Sequence, residues 1–231
     1  LNLPFLKHVY KYANKIITHS PQNFMKLEKT TNIKLLPHPI ESFFFDNKIK
    51  STDKPIVLIS VCRLLKLKHL DWVINALVDI KTEKNQFIYN IIGDGPELEN
   101  LKHLVQKKRL ENNVKFHGHK SHLEVNEHLR NSHIFIMPSY PETLGRSFLE
   151  AAAANCIIIG HKSTGVDGLL KHKESGIFVD KNSIQDELKN IFDSFSDDHF
   201  RYYTNNAQRI VADLTWERIG KIYNELYRSA N

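Results

Sequence analysis

A parallel β-sheet with helices on both faces, a Rossmann-like α/β architecture, is the fold class the sequence predicts. Three observations carry it. Short apolar runs at Ile56–Val61, Phe87–Ile92, Val114–Phe116, Ile134–Met137, Cys156–Ile159 and Ile177–Val179 are continuous rather than alternating, as in strands buried on both faces. Segments with apolar residues at helical spacing separate them, at Leu70–Ile80, Glu97–Lys108, Leu123–Arg130, Arg146–Ala154 and Val166–Leu170. Strand and helix alternate along the chain, the pattern of βα units joined into one parallel sheet.

The remaining elements follow in order. Phe5, Leu6, Val9, Tyr10 and Ala13 fall on one helical face, and Lys15–Thr18 reads as a short strand. Ser20-Pro21 supplies an N-cap and a first helical residue for a helix to about Lys29. Ile33–Leu36 is a second short strand, stopped by Pro37-His38-Pro39, whose prolines remove ladder donors. Residues 41–54 are polar around Phe43-Phe44-Phe45 and read as a linker. Residues 1–40 then form one body, 55–211 the main α/β domain, and 212–231 a terminal helix. After Val179 the pattern predicts helices at 184–195 and 199–211, and Thr215 caps a last one over Trp216–Arg228.

The chain of 231 residues, 41% hydrophobic and 25% charged, is long enough to bury a core and is of ordinary globular composition. Cys62 and Cys156 are too few for a disulfide scaffold or a cysteine-rich metal fold, and they fit a reducing, cytoplasmic setting. No apolar run approaches the roughly 20 residues of a bilayer span. The net charge of +6 favours an anionic partner, but the lysines are dispersed and no nucleic-acid module is present, so no nucleic acid is expected. His117, His119 and His122 cluster, with His128 and His133 beyond, but lack a recognised metal spacing; the preferred reading is surface or loop histidines. No GxSxG or HExxH occurs.

Ligands of such sheets bind outside the carboxyl ends of the strands, so chemistry is sought in the strand-to-helix loops. Cys62–Lys68 places Arg63 and Lys68 five apart, a guanidinium fork and an ammonium suited to a diphosphate, although the loop taken alone reads first as a solvated basic loop. Gly93-Asp94-Gly95-Pro96 lacks the P-loop and GxGxxG patterns and reads as a turn. Pro138–Ala151 is the richest loop. A helix opening near Gly145 aims free amides at an anion, with Glu142 just before it and Glu150 inside it. Such carboxylates accept hydrogen bonds from sugar hydroxyls; a structural carboxylate paired with a base is the alternative for Glu150. Gly160–Gly165, with His161-Lys162-Ser163-Thr164, adds a polar segment to the same rim.

Taken together, these stretches resemble the retaining family 4 glycosyltransferases. VCRLLKLKHLDWVINAL (61–77), IIGDGPELENL (91–101), PSYPETLGRSFLEAAAA (138–154), STGVDGLLKHKESGIFVD (163–180) and TWERIGKIYNELY (215–227) are similar to that family's motifs in their order and separation. Glu142 and Glu150 stand as the acids of its E-x7-E pair. Cys62 and His69 replace glycines of the pattern, Leu144 a frequent phenylalanine and Asp167 a glutamate.

The resemblance implies the carboxyl-terminal, donor-binding domain of a GT-B enzyme plus the end of its amino-terminal domain, so an incomplete chain that binds donor without transferring. The terminal helix, 212–231, would return toward the amino-terminal body. It implies Arg63 and Lys68 on the donor diphosphate, Glu142 on the transferred sugar and Glu150 on the ribose. The amides around Leu144, Gly145, Arg146 and Ser147 would lie against sugar and phosphate. The donor would be a UDP- or GDP-sugar and the acceptor a glycan or lipid-linked molecule, in cell-envelope polysaccharide synthesis. No resident cofactor and no metal are expected, in keeping with the absence of D-x-D. Phe5, Leu6, Val9 and Tyr10 beside Lys7 and Lys11 suit either peripheral contact with the inner membrane face or packing in the rest of their domain. The competing classes are a GT-B-type epimerase or phosphorylase and a non-catalytic nucleotide-binding domain.

Overall fold

The computed structural model describes residues 12–29, 32–45, 50–52, 55–80 and 86–229. The helical pattern at residues 5–13 lies outside them apart from its last residues. A small unit comes first: strand β1 (Ile16–Thr18), helix α1 (Pro21–Leu27) and strand β2 (Ile33–Leu35). β1 and β2 pair in parallel as a two-stranded sheet. Ser20 caps α1 through its Oγ, which accepts the Asn23 amide at 3.2 Å.

The main sheet holds β3 (Ile56–Val61), β4 (Phe87–Ile92), β5 (Val114–Phe116), β6 (Ile134–Met137), β7 (Ile157–His161) and β8 (Ile177–Val179). All pairs are parallel and the lateral order is β5-β4-β3-β6-β7-β8. The chain winds outward from β3 to β5, then returns to lay β6 against β3's other edge. That reversal makes the β3/β6 boundary the switch point, where the loops diverge and leave a crevice.

The helices are α2 (Leu70–Ile80), α3 (Leu98–Lys107), α4 (His122–Arg130), α5 (Arg146–Ala153), α6 (Ile184–Asp193), α7 (Asp197–Val211) and α8 (Trp216–Arg228). Period-2 alternation splits each strand between two cores. Ile56, Leu58, Ile134 and Ile136 face a core with α2, α3 and α6. Ile59, Phe135, Met137 and Ile158 face another with α4, α5, α7 and α8. A polar tie crosses the sheet centre: the Ser60 and Tyr89 hydroxyls are 2.6 Å apart and both residues are fully buried.

The segment read as a linker is anchored where it is described. Phe44 is fully buried, and Lys50 donates to the carbonyls of Leu129 and Ser132 at 2.9 and 2.7 Å, satisfying the end of α4. The Ile40 amide donates to the Leu214 carbonyl at 2.6 Å, which ties the start of α8 to the chain leaving β2. One expectation fails. Val166–Leu170 is a run of turns rather than a helix, because Ser163, Gly165 and Gly168 take φ of 60°, 60° and 95°.

Candidate functional site

The loops that leave β3 and β6 flank the switch point and are bound to each other. The Tyr140 amide donates to the Leu67 carbonyl at 2.9 Å, and Lys68 Nζ lies 2.6 Å from Glu142 Oε2. The β3 loop also rests on the turn after β4, where the Leu64 amide reaches the Asp94 carbonyl at 2.9 Å. A Cβ on Gly93 would stand 1.8 Å from the Cys62 carbonyl oxygen, so only glycine lets the two loops approach. His69, at a position where the resembled motif has glycine, adopts φ 52° and stacks on Trp72 at 3.9 Å. Histidine is one of the few residues that enters the left-handed region with any frequency.

Glu142 is held from every side. Oε2 accepts from Lys68 and from Ser139 Oγ (3.2 Å), while Oε1 accepts from the Thr143 amide (3.1 Å). Its own amide donates to Thr164 Oγ1 at 2.8 Å, and its carbonyl accepts from the Gly165 amide at 2.9 Å. Both side chains of the Lys68–Glu142 pair are only 15% exposed. The pair is therefore partly desolvated, where charge–charge interactions exceed those at an open surface.

α5 begins at Gly145, whose φ of 77° turns the chain into the helix and which offers no side-chain cap. A Cβ there would meet Phe148 Cδ2 at 2.6 Å. The first residue of α5 is Arg146, with no acid in the first turn. Glu150, one turn on, is 8% exposed and lies 3.8 Å from Arg146 NH2. Burial raises its pKa, while Arg146 and His122 pull it back down. Cys62 lies at the groove floor, and burial pushes its thiol up to about 12, so it is no nucleophile at neutral pH.

These elements enclose a groove of two adjoining compartments. The first, about 460 Å³, is lined by Arg63, Lys68, Glu142, Gly145, Arg146, Ser147 and Glu150. Seven of the eight residues singled out in the sequence thus share one cavity. The eighth, Leu144, has its side chain buried in the core at 2% exposure and could offer only its amide. The second compartment, about 440 Å³, is lined by Gly93, Asp94, His119, Lys120 and Val125. Val61, Cys62, Arg63, His122 and Glu150 line both. Each is within the size range of small-molecule sites.

The second compartment is what sequence reasoning missed. Gly93-Asp94 read as a turn, and His119 and His122 as surface histidines. The signal available was their place at the carboxyl ends of β4 and β5, the strands on β3's side of the crevice. His117 is engaged elsewhere, its Nε2 2.8 Å from Asn90 Oδ1. Among the described residues no three histidine, cysteine or acidic side chains converge as metal ligands.

Residues 41–210 match the family model of the glycosyl transferases group 1. The chain belongs to that family. An uncharacterized glycosyltransferase of Haemophilus influenzae is 29% identical over 164 residues, covering 71% of this chain and 45% of that protein. The chain spans less than half the length of the curated relatives it matches. Among solved structures, sucrose-phosphate synthase from Thermosynechococcus elongatus superposes with a TM-score of 0.81 at 22% identity, over 97% of this chain and 60% of that one. Anabaena HepE, in complex with UDP-glucose, superposes with a TM-score of 0.78 at 20% identity, over 96% and 66%. This group 1 member therefore has the parallel-sheet fold with helices on both faces found in GT-B glycosyltransferases. Among its described residues no helix is long and apolar enough to cross a membrane.

Proposed function

We propose that this chain is the donor-binding part of a retaining family 4 glycosyltransferase, which moves a sugar from a nucleoside diphosphate sugar to a glycan or lipid-linked acceptor. One observation carries the reading: Arg63, Lys68, Glu142, the uncapped start of α5 and Glu150 line a single cavity at the sheet's switch point. Within it, Arg63, Lys68 and the α5 amides hold the diphosphate, Glu150 accepts from ribose hydroxyls, and Glu142 faces the transferred sugar.

When the anomeric C–O bond breaks, the departing diphosphate gains negative charge and the sugar becomes oxocarbenium-like. Fixed cations and amides aimed at the leaving group stabilise that charge without reorganising. Lys68 is held by Glu142 beforehand, so it needs no search for its position. Protein cations, Arg63 and Lys68, supply the positive charge that the departing diphosphate needs. The family match supports transfer over the epimerase or phosphorylase alternative.

The matched relatives extend well beyond the region this chain covers, so transfer is assigned to the whole protein and donor binding to this chain. The test is a melting-temperature panel with UDP, GDP and their sugars, since a ligand bound only by the native state raises the midpoint. A rise with one nucleoside diphosphate and its sugar is expected. No rise with any of them overturns the reading. Retention is tested separately, by NMR of the anomeric configuration of the whole protein's product.

A further inference from the structure

We infer that His122, which no motif of the sequence marks as functional, is a ribose-reading residue that shares with Glu150 the wall between the two compartments. This rests on the donor-groove reading above. A nucleoside diphosphate has three parts in fixed order: base, ribose, diphosphate. The groove has two compartments, and Lys68, Glu142 and the α5 start belong only to one of them. If the diphosphate lies there, the base lies in the other, against Gly93, Asp94 and His119. The ribose joins the two and must pass the wall they share.

That wall has three polar side chains, Arg63, Glu150 and His122, over an apolar floor of Val61 and Cys62. Arg63 is spent on the diphosphate. Ionised Glu150 can only accept hydrogen bonds, whereas the imidazole adds a second hydrogen-bonding group to the same wall, one that can also donate. The two side chains are near enough to interact electrostatically.

His122 is also built into position. It is the first residue of α4, fixed by a capping box in which Ser121 and Glu124 bond reciprocally, with the Ser121 amide 2.9 Å from Glu124 Oε2. The fully buried ring of Phe44 packs 6.5 Å from the imidazole, centroid to centroid. No hydrogen-bond partner occupies the ring nitrogens among the described residues, which leaves them for a ligand.

The experiment is calorimetry on the 231-residue chain with UDP and GDP and with their 2′-deoxy and 3′-deoxy counterparts. The wild-type chain is expected to prefer the ribo form of the base it accepts. His122→Ala should shrink the ribo-to-deoxy ratio at one hydroxyl by about threefold to tenfold, the worth of one hydrogen bond. His122→Asn, which keeps a donor and an acceptor, should recover part of it. An equal loss for ribo and deoxy forms would place His122 on the phosphate and overturn the inference, as would unchanged affinity. If the wild-type chain binds no nucleotide, the donor-groove reading fails and this inference falls with it. If it binds but His122→Ala leaves both ratios intact, only this inference falls.

Discussion

Helices α5 and α7 pack against each other, yet they begin in opposite ways. α7 opens on Ser196, whose Oγ accepts the His199 amide at 3.3 Å, and its first turn carries Asp197 and Asp198. That start satisfies an orphan amide and sets negative charge at the positive end of the helix dipole. α5 opens on Gly145 and Arg146, with no capping side chain and no acid. The Phe148 amide turns back to the Gly145 carbonyl at 3.0 Å, but the start has no side-chain acceptor, and it adds positive charge where positive charge is disfavoured. Arg146 there is partly offset by Glu150 at 3.8 Å, too far for a strong pair. The same backbone physics serves two ends. α7 is completed by its own sequence, and α5 is left for an anion to complete.

The sharpest way to break that comparison is to remove the cation facing the start of α5. Lys68→Ala should weaken nucleoside diphosphate binding by roughly 2–4 kcal/mol, about 30- to 1,000-fold, because it also leaves the Glu142 carboxylate unpaired beside the phosphates. Calorimetry on the two proteins reads this directly. Unchanged affinity would mean that the Lys68–Glu142 pair only fastens two loops together.

The matching change at α7 should act on stability alone. Ser196→Ala removes a completed cap at a cost of about 1 kcal/mol. For a chain of this size that lowers the melting temperature by about 2–4 °C. Nucleotide affinity should not move, since Ser196 is absent from the walls of both compartments. A drop in affinity as large as that of Lys68→Ala would abolish the distinction between the two helix starts.

How much of this was legible in the sequence follows from what is local. β3 and β6 could be read because a strand buried on both faces leaves a continuous apolar run, and Ile134–Met137 is buried at every position. The α8 start at Thr215 could be read because a cap is a one-residue signal; its Oγ1 accepts the Arg218 amide at 3.3 Å. The rim loops after β3 and β6 could be singled out because parallel sheets bind ligands there. The Lys68–Glu142 pair could not, since its partners are 74 residues apart and meet only because β6 returns beside β3. His122 and Asp94 escaped for the same reason: lateral strand order decides which loops share a crevice, and no local pattern writes it. Val166–Leu170 misled in the other direction. Its apolar spacing is helical, but Gly165 and Gly168 take backbone angles that end a helix.

The smallest effect is also the one that separates ligand binding from folding within α5 itself. Burial raises the pKa of Glu150, so the folded chain holds that proton more tightly than the unfolded chain does. Proton linkage then makes stability fall as pH rises from the ordinary carboxylate value through the raised one, and above both the buried carboxylate is a standing cost. Glu150→Gln removes the charge and keeps the shape. At neutral pH the ligand-free variant should melt slightly higher than wild type. The gap should narrow as pH drops and close below the ordinary glutamate value, where wild type is protonated in both states. Nucleotide affinity should move the opposite way, because a neutral amide accepts more weakly from ribose hydroxyls than a carboxylate does. Paired melting and calorimetry at two pH values would expose both signs. A variant that melts lower at neutral pH and binds nucleotide as wild type would make Glu150 a structural partner of Arg146, and α5 a helix completed from within after all.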